Sequence, residues 1–395
     1  MSFPLADVQS ALRDDGLDGW LLYDFQGSNA IARRLTGVDR SAQMTTRRWY
    51  YFVPREGKPR GLVHAIEASV LDALPGTKRT YAGRDSLEQG LTTLLAGARR
   101  VAMEYSPDCA IPYVSRVDAG TIEHIRRLGV EVASSGDLMQ RFEARWSEGT
   151  YEQHRRASDR IYRIKDRAFA EVTRRLSDKE PTTEYDLQQA MVGWFGQEGL
   201  ISDAPPNVST RENAGNPHYL PTCEHSRRIE PNQVVLLDLW GRLPDAGAPY
   251  ADICWVGFTG TAVPDEIERA FSTARAARDA ALALVQRAAQ RGDDLRGWQV
   301  DREARGVIER AGYGDRILHR TGHSLGSTQV HGNGVHMDDY ETHDDRRIMP
   351  GTGFTIEPGI YFPHFGVRTE INVYVTEREA VVSGPCQSAI VPLAP

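Results

Sequence analysis

Apolar and polar positions alternate over roughly the first 145 residues in a way that predicts short strands separated by helices. Residues 8–17 repeat apolar side chains at helical spacing, and residues 19–23 (GWLLY) form an apolar run of strand length. Residues 49–54 and 61–64 flank the turn residues Glu56, Gly57, Lys58 and Pro59, which predicts a strand pair. Residues 100–104 and 130–133 predict further strands, with a helix over 119–128 between them. Alternation of this kind points to an α/β domain.

The texture then changes. Residues 145–180 are dominated by charge, yet Ile161, Ile164, Ala168 and Val172 recur at helical spacing. That predicts one long amphipathic helix with a solvated, Arg/Lys-rich outer face. Thr183 and Asp186 give a capping-box signal for a helix through Trp194. Pro264, Asp265 and Glu266 open a helix to about Gln290, and Asp294 opens another to Ala311. Strand-like runs cover 234–239, 253–258, 353–361 and 367–375. The second part therefore reads as α+β, with helices flanking an antiparallel sheet. One domain is expected over 1–148 and the other over 149–395.

Composition narrows the classes. The chain has 395 residues, 40% apolar and 26% charged, which fits a soluble globular protein of two or three domains. Its formal net charge of −7 argues against a strongly basic nucleic-acid surface. The four cysteines, Cys109, Cys223, Cys254 and Cys386, include no CxxC pair, as in a reducing compartment. The first residues show no basic-then-apolar leader, and no apolar stretch is long enough for a membrane span. The expected location is the cytoplasm.

Candidate chemistry gathers late in the chain. Six of the eleven histidines fall at His319, His323, His331, His336, His343 and His364. Carboxylates interrupt or border apolar runs: Asp238 in VVLLDLW, Asp252 in ADICWVGF, Glu357 in GFTIEPGIY and Glu370 in GVRTEINVYV. A buried, unpaired carboxylate is costly, and four on neighbouring strands repel one another. Any one alone would be read as half-exposed or paired with arginine. Together with His323 they form an oxygen-rich set with four formal negative charges, which suits two divalent metal ions.

The order Asp…Asp…His…Glu…Glu, with TGHSLG around His323, TIEPGIY around Glu357 and GVRTE around Glu370, resembles the pita-bread metallopeptidases. That family includes methionine aminopeptidase, aminopeptidase P, prolidase and the metal-free creatinase. The likeness covers about residues 150–380, and the segment NAIARRLTG at 29–37 resembles the N-domain of aminopeptidase P and prolidase. The resemblance implies an α+β pita-bread catalytic domain with an N-terminal α/β creatinase-type domain. It implies that Asp238, Asp252, His323, Glu357 and Glu370 hold two divalent ions, bridged by Asp252 and Glu370. Asp238 would sit on one ion, His323 and Glu357 on the other. A water or hydroxide between the ions would be the nucleophile, with Glu357 handling its proton. His218 in NPHYL matches a histidine beside the scissile bond, and His331 in TQVHGNG one that hydrogen-bonds the substrate carbonyl or tetrahedral intermediate. His319 matches a histidine of the proline pocket, and Arg368 an arginine that positions the substrate or the site's network.

The chain also departs from the family pattern. Asp238 and Asp252 are fourteen residues apart, which lengthens the usual hairpin around LPDAGAPY. Cys254 stands where threonine is common, so a reactive or ligating thiol is open beside a small buried residue. His331 follows His323 by eight residues, one more than usual, which leaves His336 a rival for its role. The implied reaction is cleavage of Xaa-Pro dipeptides, with aminopeptidase P action on longer peptides as the alternative. A product-side carboxylate would need a cation, for which Arg368, Arg47 and Arg48 are candidates. A metal-dependent small-molecule lyase and a non-catalytic binding protein are the other classes. Mn²⁺ suits the carboxylates best, and Zn²⁺, Co²⁺ or Fe²⁺ is compatible with the histidine. A homodimer is implied by the same resemblance.

Overall fold

Every residue of β1 (Gly19–Asp24) is buried, so its sheet must be covered on both faces. The computed structural model describes residues 3–38 and 45–394, and the chain divides into two units, Met1–Glu143 and Ala144–Pro395. In the first unit β1 joins β2 (Trp49–Pro54), β3 (Arg60–His64), β4 (Thr77–Tyr81), β5 (Arg100–Met103) and β6 (Glu131–Ser134). The mixed sheet has the order β4-β3-β2-β1-β5-β6. Its helices are α1 (Leu5–Asp14), α2 (Ala30–Thr36), α3 (Arg84–Leu94), α4 (Ala119–Arg127) and α5 (Gly136–Glu143). Trp20 and Leu22 join the core under α1, α2 and α5, whereas Leu21 and Tyr23 join the one under α3 and α4. Helix α1 lies three residues earlier than the expected 8–17. Gly16, at φ +64°, turns the chain out of the helix, and Leu17 is buried beyond it. Strand β4 had no sequence signal because it is a polar, mostly exposed edge.

In the second unit α6 (Glu148–Ser177) is capped by Ser147, whose side chain accepts from Thr150 N. Ile161, Ile164, Ala168 and Val172 form its buried stripe. Its outer face is not wholly solvated: Lys165 is buried, with its ammonium 3.7 Å from the Trp255 ring centroid. Helix α7 (Glu184–Gln197) opens on the Thr183–Asp186 capping box. Next come β7 (Asn207–Thr210), α8 (Arg211–Ala214), the antiparallel pair β8 (Val234–Gly241) and β9 (Ala251–Phe258), α9 (Asp265–Arg291) and α10 (Gly297–Arg310). Asp294 does not open α10. Its carboxylate binds Arg296, and the Arg296 amide is capped by Gln299 Oε1 instead.

Strands β8 and β9 alternate strictly. Leu237, Leu239, Ile253 and Trp255 pack with α6 and α7, whereas Leu236, Cys254 and Val256 share a core with α9 and α10. Asp238 and Asp252 continue that second face. Asp238 lies opposite Cys254 in register, and Asp252 opposite Trp240.

The runs 353–361 and 367–375, each expected as one strand, are two strands apiece. Strand β10 (Gly353–Ile356) pairs with β13 (Ile371–Val375), and β11 (Gly359–Phe362) with β12 (Phe365–Arg368). They form a long hairpin whose ladder stops at one level on both arms, between Ile356↔Ile371 and Gly359↔Arg368. Glu357-Pro358 and Thr369-Glu370 fill the gap. Pro358 has no N–H to give. The Glu357 and Glu370 amides are engaged outside the hairpin, by Thr321 O at 2.7 Å and Cys254 O at 3.2 Å. Strand β14 (Ala380–Val382) pairs with β13, and β15 (Val391–Pro392) adds to the sheet β15-β9-β8-β7.

Candidate metal centre

Three stretches of chain bring five side chains together. The pair β8–β9 carries Asp238 and Asp252, the interrupted hairpin carries Glu357 and Glu370, and the segment between α10 and β10 carries His323. Ligand atoms of Asp252, His323 and Glu370 all lie within 4.8 Å of one another. His323 Nε2 is 3.4 Å from both Asp252 Oδ2 and Glu357 Oε1. Asp238 pairs with Arg368, whose Nε is 3.9 Å from Glu357 Oε2. Asp238, Asp252, His323 and Glu357 line one cavity of about 620 Å³.

The backbone holds these residues in place. Glu357 N and Glu370 N are anchored as described above. Asp252 N donates to Asn372 Oδ1 at 2.9 Å, and Asn372 Nδ2 donates back to Asp252 O. His323 N donates to Thr355 Oγ1 at 2.9 Å, and Thr355 N donates to His323 O at 2.8 Å. Gly322 permits this approach, since a Cβ there would meet Thr355 O at 2.0 Å.

The electrostatics ask for a cation. Burial, and then the charges of Asp238 and Glu357, push Asp252 well above the usual carboxylate range. Burial, Asp252 and Glu357 do the same to Glu370. Burial raises Asp238 to about 6 although Arg368 opposes it. Among the described residues, Asp252 Oδ1 and Glu370 Oε1 are buried without any hydrogen-bond partner. Burial lowers His323 to about 3, so it is neutral at pH 7. Its Nδ1 faces Ser324 O at 3.1 Å, which leaves the Nε2 lone pair toward the carboxylates. Repelling carboxylates with unpartnered oxygens beside a neutral imidazole nitrogen fit a divalent metal.

Residues 153–377, more than half of the chain, match metallopeptidase family M24. The chain belongs to this family. It is 27% identical over 268 residues to the protein named probable dipeptidase PepE of Mycobacterium tuberculosis, covering 67% of this chain and 64% of that relative. The alignment thus spans just under two thirds of the relative's length. A Xaa-Pro dipeptidase of Lactobacillus helveticus is 34% identical over 164 residues, covering 41% of this chain and 40% of that protein. Dipeptidase PepE from Mycobacterium ulcerans superposes with a TM-score of 0.67 at 23% identity, covering 99% of this chain and 97% of that one. The fold is the pita-bread fold of family M24, preceded in sequence by a creatinase-type α/β domain.

Around the M24 centre the cavity wall includes His218, His331, Tyr219, Leu220, Trp240 and Arg368. The His331 ring lies 4.1 Å from the His323 ring, centroid to centroid, and its Nδ1 faces Arg320 at 3.4 Å. His323 and burial hold His331 near 3, a neutral imidazole. His336 is elsewhere: fully buried, its Nδ1 accepts from Ser324 N at 3.1 Å. His319 is not on the cavity wall. Its ring bonds Tyr361 Oη and Arg320 O, each at 2.7 Å. Arg368 is engaged by Asp238 and by Tyr361 Oη at 3.2 Å. Cys254 is fully buried, and burial raises its thiol well above the ordinary range, so it is a packing residue rather than a thiolate at neutral pH. Arg47 and Arg48 line a cavity of the first unit with Tyr23, His64 and Tyr81.

Sequence reasoning missed Glu184. Fully buried, it accepts from Thr210 N, Thr210 Oγ1, Asn213 Nδ2, Tyr219 Oη and Arg227 N at 2.6–3.2 Å. These bonds fix the segment that presents His218 and Tyr219. As the first residue of a capped helix it gave no sign of burial. Asp203 and Asn207 on the cavity wall were also missed, since ISDAPPN reads as a polar turn.

Proposed function

We propose that this chain hydrolyses the bond before proline in dipeptides, as an Xaa-Pro dipeptidase with two divalent ions held by Asp238, Asp252, His323, Glu357 and Glu370. The observation that carries this reading is a carboxylate–imidazole set with unpartnered buried oxygens, set into a cavity of about 620 Å³. Such a volume is of small-ligand size. Divalent ions supply Lewis acidity and a water of lowered pKa as nucleophile. Asp252 and Glu370, whose ligand atoms lie within 4.8 Å of each other and of His323, would be the carboxylates shared by the ions. Glu357 Oε1, which accepts from Thr355 Oγ1 at 3.0 Å, takes the nucleophile's proton and returns it to the departing proline nitrogen. Arg320 faces His331 Nδ1, so the opposite nitrogen carries the proton and donates it to the scissile carbonyl oxygen. His218, with the apolar edges of Pro217, Tyr219 and Leu220, receives the proline ring. Arg368 keeps Asp238 aimed and ionised.

In this reading residues 149–395 are the catalytic domain, and the protein is a cytoplasmic homodimer with Mn²⁺ as its preferred metal. Among the described residues no helix is long and apolar enough to cross a membrane. Light scattering on the purified protein tests the dimer. The activity is tested by hydrolysis of Leu-Pro beside Leu-Pro-Pro, in metal-stripped protein and after adding Mn²⁺, Zn²⁺ or Co²⁺. Metal-dependent cleavage of the dipeptide alone is the expected result. Equal or faster cleavage of the tripeptide moves the assignment to aminopeptidase P. Two bound metals with cleavage of neither peptide would leave a small-molecule lyase.

A further inference from the structure

Arg278 is buried on α9, beside Ala274, Ala277 and Ala281 of the second unit's core. Taking a guanidinium out of water is costly, and an apolar side chain would fill the same space without that cost. What the guanidinium adds is a set of fixed directions. Nε and Nη2 donate to Oδ1 of the exposed Asp279, at 3.0 and 2.7 Å, so the charge is answered from the solvent side. Nη1 serves the interior. It donates to Thr369 Oγ1 at 2.7 Å and to Gln387 O at 2.9 Å, both on buried residues.

Both acceptors belong to the frame of the metal centre. Thr369 lies in the gap of the interrupted hairpin, directly before Glu370, where no ladder bond holds the chain. Glu370 N reaches Cys254 O at 3.2 Å, and Arg278 is the one partner of the Thr369 hydroxyl among the described residues. Gln387 stands in for a strand at the edge of β9: Oε1 accepts from Val256 N at 3.0 Å, and Nε2 donates to Val256 O at 2.6 Å. Asp252, Cys254 and Val256 follow one another on that strand. One nitrogen of Arg278 therefore ties the arm that carries Glu370 to the strand edge that carries Asp252. Ligand atoms of those two carboxylates lie within 4.8 Å of each other, a spacing that their repulsion opposes.

We propose that Arg278 is a positioning residue for the metal centre: it locks the Thr369–Glu370 step to the edge of β9 and so holds Glu370 at the distance from Asp252 that shared ions require. The proposal rests on the two-ion reading above and adds to it a residue that does not line the cavity. Partners behind metal ligands are worth about ten- to a hundredfold in metal affinity.

The test is calorimetric titration of Mn²⁺ into the metal-free full chain, with electron paramagnetic resonance of the loaded protein and urea unfolding of the metal-free one. Wild type should take up two ions and give the exchange-coupled spectrum of a manganese pair. Arg278→Met should bind the weaker ion about ten- to a hundredfold less tightly, and show isolated Mn²⁺ at concentrations that fill both sites in wild type. Thr369→Val keeps the shape and removes the acceptor, so it should lose affinity in the same way. Thr369→Ser keeps the hydroxyl and should bind as wild type does. Joined to Thr369→Val, Arg278→Met should cost less than it does alone, because both cut one contact. A lowered urea midpoint with wild-type Mn²⁺ affinity in Arg278→Met overturns the proposal and leaves Arg278 a packing residue. Wild-type affinity in Thr369→Val overturns it too, and decides the matter if Arg278→Met does not fold. If wild type binds one ion only, the two-ion reading fails. A loss on that ion in Thr369→Val, restored in Thr369→Ser, then keeps Arg278 as the residue that sets Glu370. Uptake of no ion by wild type overturns both.

Discussion

Glu104 of the first unit and Glu370 of the second are both buried glutamates bordering apolar strands, and they are held in opposite ways. Glu104 is surrounded by donors: Trp20 Nε1 at 2.7 Å, Asn29 Nδ2 at 2.6 Å and Ser135 Oγ at 3.1 Å. Burial raises its carboxyl, and those donors pull it back. Glu370 has an unpartnered Oε1, and its neighbours Asp252 and Glu357 push it further up. Burial alone therefore does not mark a functional carboxylate. The mark is a missing donor combined with a like-charged neighbour, which the protein's own groups leave for a cation to answer. Glu184 belongs with Glu104: it lies near the centre, yet its bonds make it a brace for the His218 segment.

The sharpest way to break this comparison is to remove one acid of the repelling set. Asp252→Ala or Glu370→Ala should lower Leu-Pro hydrolysis by at least roughly 10³-fold. The metal-free variant should unfold at the same or a higher urea concentration than metal-free wild type, because a repelling charge is gone. Full activity in a metal-free preparation of either variant would sink the metal mechanism. Next in size is the histidine pair. His331→Ala should cut kcat by about 10²-fold with metal content kept. His336→Ala should instead cost about 2–3 kcal/mol in stability, since Ser324 N loses its acceptor and a void is left. A reversal of the two phenotypes would show that the loop assignment is wrong.

Glu104→Gln is the mirror experiment. One amide NH₂ must face Trp20 Nε1 or Asn29 Nδ2, so the first unit should lose about 2 kcal/mol in chemical denaturation. Glu370→Gln in the metal-free protein should cost nothing. Equal losses would erase the distinction. The remaining test is in the pH dependence. Asp238, Asp252 and Glu370 have native pKa values above their unfolded ones, so in metal-free protein the folded state binds the extra protons. Stability should then fall as pH rises from about 4 through about 6, by up to about 1.4 kcal/mol per pH unit for each proton. Metal keeps these groups ionised and should reverse that slope. Urea midpoints at several pH values, with and without Mn²⁺, measure both.

How much of this was legible follows from where each signal lives. Helices α6, α7 and α9 announce themselves by spacing and caps, which are local. The five carboxylate and imidazole positions are also visible, because acids in apolar strands violate a local pattern. The hairpin interruption is not. Pro358 warns of it on one arm, but Thr369-Glu370 falls opposite only through strand register, a property of pairing. Lys165 looks solvated on its helix because nothing local reveals Trp255 on β9. His319 shares its neighbourhood in sequence with His323, yet Tyr361 and Arg320 turn it away from the cavity. Asp203 sits in a polar stretch where an aspartate breaks no rule, and only the cavity gives it meaning.

One feature of the centre bears on how such a protein changes over generations. Asp252, His323, Glu357 and Glu370 are each fixed through peptide N–H groups, by Asn372, Thr355, Thr321 and Cys254. The scaffold specifies positions and leaves the chemistry at those positions to be written separately. A lineage can therefore exchange ligand side chains one at a time without unfolding its intermediates, and selection can move such a protein from one reaction to another, or to none, along a path of folded ancestors.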